Sequence, residues 1–398
     1  MAHNATSTLL GGLTAREFLR DYWQQKPLLV RGAIPDFEEP ITAREVRELA
    51  AREEALSRLV VRYGRQWTLE HGPIRARRLA GLMRGNVPWT VLVQDVQHHS
   101  YEAHDLLARF NFLSSARIDD LMVSIASKGG GVGPHVDSYD VFLLQGTGRR
   151  RWRISRQEDL ALAPGLPLKI LKRFRAEEEY VLEKGDMLYL PPQVAHHGIA
   201  IDECVTWSIG FRAPRFQEVV EFHLDARRDA LSIDGQYRDP GILPSVHPGT
   251  VSPAMQASLV KAMSDASSAA RSRHLMLHDL GCFLTTPKPH VVFDTPESAM
   301  TAFAFARAAK TRGVRLTLAT RLLRCGKGFF VNGGPLPVRA ADADALQRLA
   351  DTRVLPGAQR GRAPGRIAFG PSLCRTLHEM HATGALELLP PAGEALDE

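Results

Sequence analysis

The chain has 398 residues, 44% hydrophobic and 24% charged, with a formal net charge of +6 and a pI near 9.2. That composition excludes a disordered or fibrous chain, and the length allows two or three domains with a core that needs no disulfides or structural metals. The basic excess is mild: it leaves room for an acidic or nucleic-acid-rich partner without requiring one.

Cys204, Cys282, Cys325 and Cys374 are scattered, with no Cys-x-x-Cys pair, which argues against a zinc ribbon or a thioredoxin motif. The N-terminus lacks a basic segment followed by an apolar run, and no apolar stretch approaches the roughly 20 residues needed to cross a bilayer. No membrane association and a cytoplasmic location are expected.

In chain order, Thr14-Ala15-Arg16-Glu17 and Ile41-Thr42-Ala43-Arg44-Glu45 each open a helix, with Thr as N-cap and Glu at the third helical position. Gln25–Gly32 reads as a strand entered through Pro27, and Leu59–Tyr63 and Trp67–Glu70 as paired strands. Val87–Gln94 is a strong strand running into a helical stretch with His98, His99 and His104, whose spacing fits no common metal site. Asp119–Ala126 is another strand.

From Leu121 to Arg212, short strands alternate with Gly/Pro turns, as in an all-β barrel or jelly roll. After Pro214 the pattern turns helical. Phe216–Asp225 is amphipathic, Asp239-Pro240-Gly241 is a turn, and Ser252-Pro253 starts a helix reaching Met263. Farther on come a hairpin at Asn332-Gly333, a helix over Ala343–Arg353, a helix over Ser372–His381 and a final strand near Gly384–Leu389. That order suggests a winged-helix-like unit, which serves nucleic-acid or protein contact. Its local basic signal is Arg360, Arg362 and Arg366 in a Gly/Pro-rich loop. The expected division is residues 1–214 catalytic barrel, 215–284 helical dimerisation region and 285–398 winged-helix-like domain.

The chemistry concentrates between Gly131 and Ile154. His135 and Asp137 follow a Gly-Pro turn and are two apart, so on a strand they share one face. With a later histidine they complete the two-His, one-carboxylate set of non-haem iron(II) oxygenases, which leaves positions open for a chelating cosubstrate and dioxygen. His196 and His197 both follow Tyr189-Leu190-Pro191-Pro192, and adjacent strand residues face opposite ways, so one of them looks inward. The same parity divides Arg149-Arg150-Arg151-Trp152-Arg153-Ile154. Arg150 falls with Trp152 and Ile154 on the inner face, and a buried arginine calls for an anion such as a cosubstrate carboxylate.

Gly133-Pro134-His135-x-Asp137-x-Tyr139-Asp140-Val141-Phe142, then Gln145-Gly146-x-Gly148-Arg149-Arg150-x-Trp152, resembles the JmjC-type ribosomal oxygenases. So do Leu188–Pro192, His196, Gly198 and Gly210–Pro214. The likeness is strongest to the bacterial branch, which hydroxylates an arginine of large-subunit ribosomal protein sixteen. The chain departs from the family pattern at Lys128, Ala195 and His197.

The resemblance implies a mixed fold: a double-stranded β-helix (cupin/JmjC) barrel with N-terminal α+β elements, a helical dimerisation region and a C-terminal winged helix. It implies iron(II), 2-oxoglutarate and O2 as cofactors and cosubstrates. His135, Asp137 and His196 would be the catalytic metal ligands, and Arg150 would bind the far carboxylate of 2-oxoglutarate. Tyr139 and Asp140, just past the ligands, are candidate substrate contacts at the mouth, with a structural carboxylate the alternative for Asp140. The expected partners are a ribosomal protein substrate and a second copy of the chain; direct RNA contact stays open. Histidine hydroxylation and a small-molecule cupin dioxygenase without 2-oxoglutarate are the alternatives.

Overall fold

The structure is a computed structural model that describes residues 8–231, 253–270, 272–296, 298, 300–358 and 368–391. The chain divides into two compact units, Met1–Ala213 and Pro214–Glu398.

The first unit is a pair of antiparallel sheets. Its strands are β1 (Leu28–Val30), β2 (Ser57–Tyr63), β3 (Gln66–His71), β4 (Trp89–Val93), β5 (Ile118–Ala126), β6 (Asp140–Gln145), β7 (Arg150–Ser155), β8 (Glu178–Leu182), β9 (Met187–Leu190), β10 (Ala195–Ala200) and β11 (Cys204–Phe211). Eight of them form one sheet in the order β1-β9-β6-β11-β5-β4-β2-β3, and β10-β7-β8 form the other. The N-terminal segment therefore donates strands to the barrel's own larger sheet.

Strand alternation sorts the residues into two cores. Phe142 and Leu144 on β6 pack with Leu121, Val123, Ile125 and Trp207 against the helices, where Phe18, Val46 and Leu106 meet them. The intervening Val141 and Leu143 pack with Trp152, Ile154, Leu188 and Leu190 between the sheets. Each of these large apolar side chains contributes roughly 1.5–3 kcal/mol by leaving water. Anchoring the helical layer, Thr14 and Thr42 form reciprocal capping boxes with Glu17 and Glu45.

Two local expectations change. The strand expected over Gln25–Gly32 is only Leu28–Val30, because the helix Ala15–Asp21 ends in a turn in which Gln25 and Lys26 donate to the Tyr22 carbonyl. The histidine-rich stretch is two elements: a 3-10 turn at Val96–His98 and a helix at Tyr101–Ala108 with Ser100 as its N-cap.

In the second unit, helix Phe216–Asp229 packs on helix Arg273–Thr285, with Phe222 edge-on to Phe283. Helix Pro253–Ala270 runs seven residues past Met263. Then come helices Ala302–Arg312, Ala343–Thr352 and Pro371–Ala382 and two three-stranded sheets. One sheet holds the hairpin that turns at Asn332-Gly333. In the other, Gly313–Leu316 lies between Val354–Pro356 and Leu386–Leu388. The core of these elements is Phe305, Leu346, Leu349, Leu373, Leu377 and their neighbours. The turn at Asp239-Pro240-Gly241, Ser252 and the loop with Arg360, Arg362 and Arg366 lie outside the described residues. No described helix is long and apolar enough to cross a membrane.

Candidate active site

The loop after β5 reaches the barrel mouth through Gly133, whose φ of +82° is left-handed and whose Cβ, were there one, would lie 2.8 Å from Ile170. The loop is then tied to β10. His135 and His196 exchange both backbone hydrogen bonds, at 3.0 and 2.9 Å, and the Gln193 N–H donates to the Asp137 carbonyl at 2.8 Å. These bonds bring together side chains 61 positions apart in the chain.

The ligand atoms of His135, Asp137 and His196 all lie within 4.8 Å of one another. Nε2 of His196 is 3.5 Å and Nε2 of His135 is 4.0 Å from Asp137 Oδ2. Each imidazole donates its Nδ1–H to a backbone carbonyl at 2.9 Å, His135 to Gly133 and His196 to Val194. A carbonyl only accepts, so the proton sits on Nδ1 and each Nε2 keeps a lone pair facing the carboxylate. That is the tautomer a metal requires, held by the backbone. Burial, and then the adjacent His135, lowers the pKa of His196, which keeps it in the neutral, ligating form. His197 faces the other way, edge-on to Phe174 with ring centroids 6.0 Å apart, and burial lowers it to about 4.

Arg150 is 5% exposed, on the inner face with Trp152 and Ile154. Its Nη1 donates to Ser124 Oγ at 3.4 Å, and its Nε and Nη2 have no hydrogen-bond partner among the described residues. The guanidinium carbon lies 5.7 Å from the Trp152 ring, which in turn lies 5.9 Å from the His196 ring. Gly198, opposite Trp152 on β10, makes room: a Cβ there would fall 2.7 Å from the indole. The β10–β7 register places His196 beside Ile154 and Ala200 beside Arg150, so their backbone positions lie roughly 13 Å apart along the strands, with both side chains turned towards Trp152 between them. A buried cation without a partner costs several kcal/mol, so this pocket is built for an anionic guest. The donor set and the unfilled guanidinium thus fit iron(II) at one level of the barrel and a dicarboxylate reaching from it towards Arg150.

The two candidate mouth residues part company. Asp140 is not at the mouth: it is fully buried and accepts hydrogen bonds from the Tyr189 hydroxyl (2.6 Å), Gln24 Nε2 (2.9 Å) and Arg117 Nη2 (3.3 Å). Its carboxylate is satisfied by the fold and cannot serve a substrate. Tyr139, next on the opposite face, is half-buried beside Gly210. Burial and then the charges of Asp137, Asp120 and Asp119 hold it as a neutral phenol far above its usual range. The carboxylate that lines this face is Asp120, on β5 in the same parity as Met122 and Ser124. Arg58, with Nη2 3.9 Å from Met122 Sδ, accompanies it. Alternation along 118–126 was the available signal for Asp120.

Residues 105–219 match the JmjC domain, and residues 263–369 match the ROXA-like winged helix. The chain is 32% identical to the ribosomal protein uL16 3-hydroxylase of Escherichia coli, over 87% of this chain and 91% of that protein. It is 37% identical to a probable ribosomal oxygenase of Haemophilus influenzae over 52% of each. The X-ray structure of E. coli YcfD superimposes with a TM-score of 0.78 at 32% identity, covering 94% of this chain and 98% of that one. Another structure of YcfD, described as a ribosomal oxygenase in complex with cobalt and 2-oxoglutarate, superimposes with a TM-score of 0.76 over the same shares at 30% identity.

Proposed function

The chain belongs to the JmjC-domain ribosomal oxygenases, and from that premise we propose that it hydroxylates the β-carbon of an arginine in large-subunit ribosomal protein uL16. It is an iron(II)- and 2-oxoglutarate-dependent hydroxylase of a ribosomal protein. Bound iron, with dioxygen and 2-oxoglutarate, supplies the oxidising power: one oxygen atom enters a C–H bond, and the other leaves in succinate as carbon dioxide is released.

In our reading His135, Asp137 and His196 hold the metal, and Arg150 grips the far carboxylate of 2-oxoglutarate. The single observation that carries the reading is the buried guanidinium of Arg150, with two nitrogens unpaired on the same inner face as His196. Trp152 lies between them, its ring 5.9 Å from the His196 imidazole and 5.7 Å from the Arg150 guanidinium. Beside the metal ligands, the half-buried, neutral Tyr139 is the side chain placed to meet the substrate.

The apolar stripe Phe216, Val220 and Leu224 is exposed on helix Phe216–Asp229, as are Leu259, Val260 and Met263 on helix Pro253–Ala270. These faces support a homodimer built through residues 215–284, with 1–214 the catalytic domain and 285–398 the winged-helix-like domain. A cytoplasmic location accords with a ribosomal substrate.

The test is mass spectrometry of ribosomal proteins treated with the enzyme, iron(II), 2-oxoglutarate and oxygen. One added oxygen on an arginine of uL16, absent with His135→Ala, is expected. The same oxygen on a histidine of another ribosomal protein would replace this target. A gain that survives His135→Ala would sink the site.

A further inference from the structure

The charge of this chain is concentrated away from the barrel interior. Ser57–Gly85 holds seven arginines and one glutamate, with no lysine or aspartate, a net of +6 equal to that of all 398 residues. The segment is one continuous structural feature: the hairpin β2–β3 and the helix Ala76–Met83. β3 is the outer strand of the eight-stranded sheet, with no neighbour beyond it in that sheet.

The lone acid is already neutralised. Glu70 pairs with Arg78 at 2.5 Å. Arg65, Arg75, Arg77 and Arg84 are exposed and make no ion pair among the described residues. Arg75, Arg77 and Arg78 line, with His71, a cavity of about 430 Å³ between the end of β3 and the helix. Aromatic rings lie between the cations: Tyr63 is 42% exposed, and the half-buried Trp67 carries Arg62 on its ring at 5.7 Å, directly across the hairpin.

Arginines on a sheet edge also discourage strand pairing with other chains. That role explains Arg65 beside the strand but not Arg75 and Arg77, which line the cavity on the far side of the His71–Ile74 turn. An acidic polypeptide would be drawn by the charge alone. Forked guanidinium groups beside the exposed Tyr63 ring fit a phosphodiester backbone with an unstacked base.

We infer that the β2–β3 hairpin and the start of helix Ala76–Met83 form a binding surface for single-stranded RNA. Arg65, Arg75 and Arg77 contact phosphates, and Tyr63 stacks on a base. The choice of RNA over DNA rests on the ribosomal substrate proposed above; the surface itself does not. It would hold the enzyme on an RNA-bearing form of its substrate, and the winged helix is not needed for it.

The experiment is fluorescence anisotropy of the full chain with a short labelled single-stranded RNA, across a salt series. The wild type is expected to bind with a steep salt dependence, and the triple variant Arg65→Ala/Arg75→Ala/Arg77→Ala at least about tenfold more weakly. The log–log salt slope should fall by about 2, since each single-strand phosphate contact contributes about 0.7. Tyr63→Ala should weaken binding about tenfold with the slope retained. Both variants should keep the wild-type melting temperature and hydroxylate isolated ribosomal protein at the wild-type rate, so failure of RNA binding and failure of the proposed activity are read separately. The inference is overturned by no RNA binding at low salt, by equal binding in the triple variant, or by polyglutamate competing as well as RNA. Loss of binding only on removal of Arg360, Arg362 and Arg366 would also overturn it.

Discussion

Two clusters in this protein are each built from one aspartate, two histidines and one arginine. In the second unit, Asp279 is buried and accepts hydrogen bonds from His223 Nδ1 at 2.6 Å, Arg227 Nη2 at 2.9 Å and His278 Nδ1 at 3.1 Å. The charges meet one another directly, and the network joins helix Phe216–Asp229 to helix Arg273–Thr285. In the first unit, His135, Asp137 and His196 converge without bonding: the imidazoles spend their Nδ1 protons on backbone carbonyls, and Arg150 stands apart with two nitrogens unpaired. The first arrangement closes around its carboxylate, which takes three hydrogen bonds, and holds two helices together, leaving Arg227 Nε as its one atom without a partner among the described residues. The second is incomplete without a cation between its ligands and an anion against its arginine. What separates the structural cluster from the reactive one is therefore whether the cationic and imidazole groups bond the carboxylate or are held apart from it.

The sharpest way to break that contrast is to remove a ligand. His196→Ala, like His135→Ala, should reduce hydroxylation by on the order of 10³ or more while His197→Ala stays within a few-fold of wild type, measured as succinate released. Equal losses at 196 and 197 would refute the parity that separates them.

That parity shows how much of the site was legible from sequence. Period-two alternation alone puts Arg150, Trp152 and Ile154 on one face, and the Gly-Pro turn before His135 marks a loop with special backbone geometry. The sequence leaves Asp140 open between a substrate contact and a structural carboxylate because its three partners, Gln24, Arg117 and Tyr189, lie far away in the chain, and nothing local distinguishes a satisfied carboxylate from a free one. The capping boxes at Thr14 and Thr42 were legible for the opposite reason: both partners lie within one turn. The addition of β1–β4 to the barrel sheet depends on long-range pairing, which local patterns do not carry.

Next in size is Arg150→Met, which should raise the KM for 2-oxoglutarate about a hundredfold. It should also stabilise the ligand-free protein by about 1 kcal/mol or more, because it removes a buried charge without a partner. A chemical-denaturation midpoint that falls would contradict that account. Asp279→Ala should do the reverse: leave the 2-oxoglutarate KM alone and destabilise by about 3 kcal/mol, since it leaves Arg227 facing an emptied carboxylate site.

The smallest effect is the pH dependence of that second cluster. Burial alone would raise the Asp279 pKa, but the hydrogen bonds from His278 and His223 and the charge of Arg227 outweigh it and hold the carboxyl below its ordinary range. A folded-state pKa below the unfolded value of about 3.9 gives stability that is full above that value and is lost as pH falls through the folded one. Denaturation midpoints between about pH 5 and pH 2 should therefore fall more steeply in wild type than in Asp279→Asn.

The central claim is that the first cluster is open because it awaits two guests, and calorimetric titration of cobalt(II) followed by 2-oxoglutarate tests it most directly. The account predicts one metal per chain, 2-oxoglutarate binding only once metal is present, and neither event in Asp137→Asn. Binding of 2-oxoglutarate with equal strength in the absence of metal, or wild-type metal binding by Asp137→Asn, would contradict it.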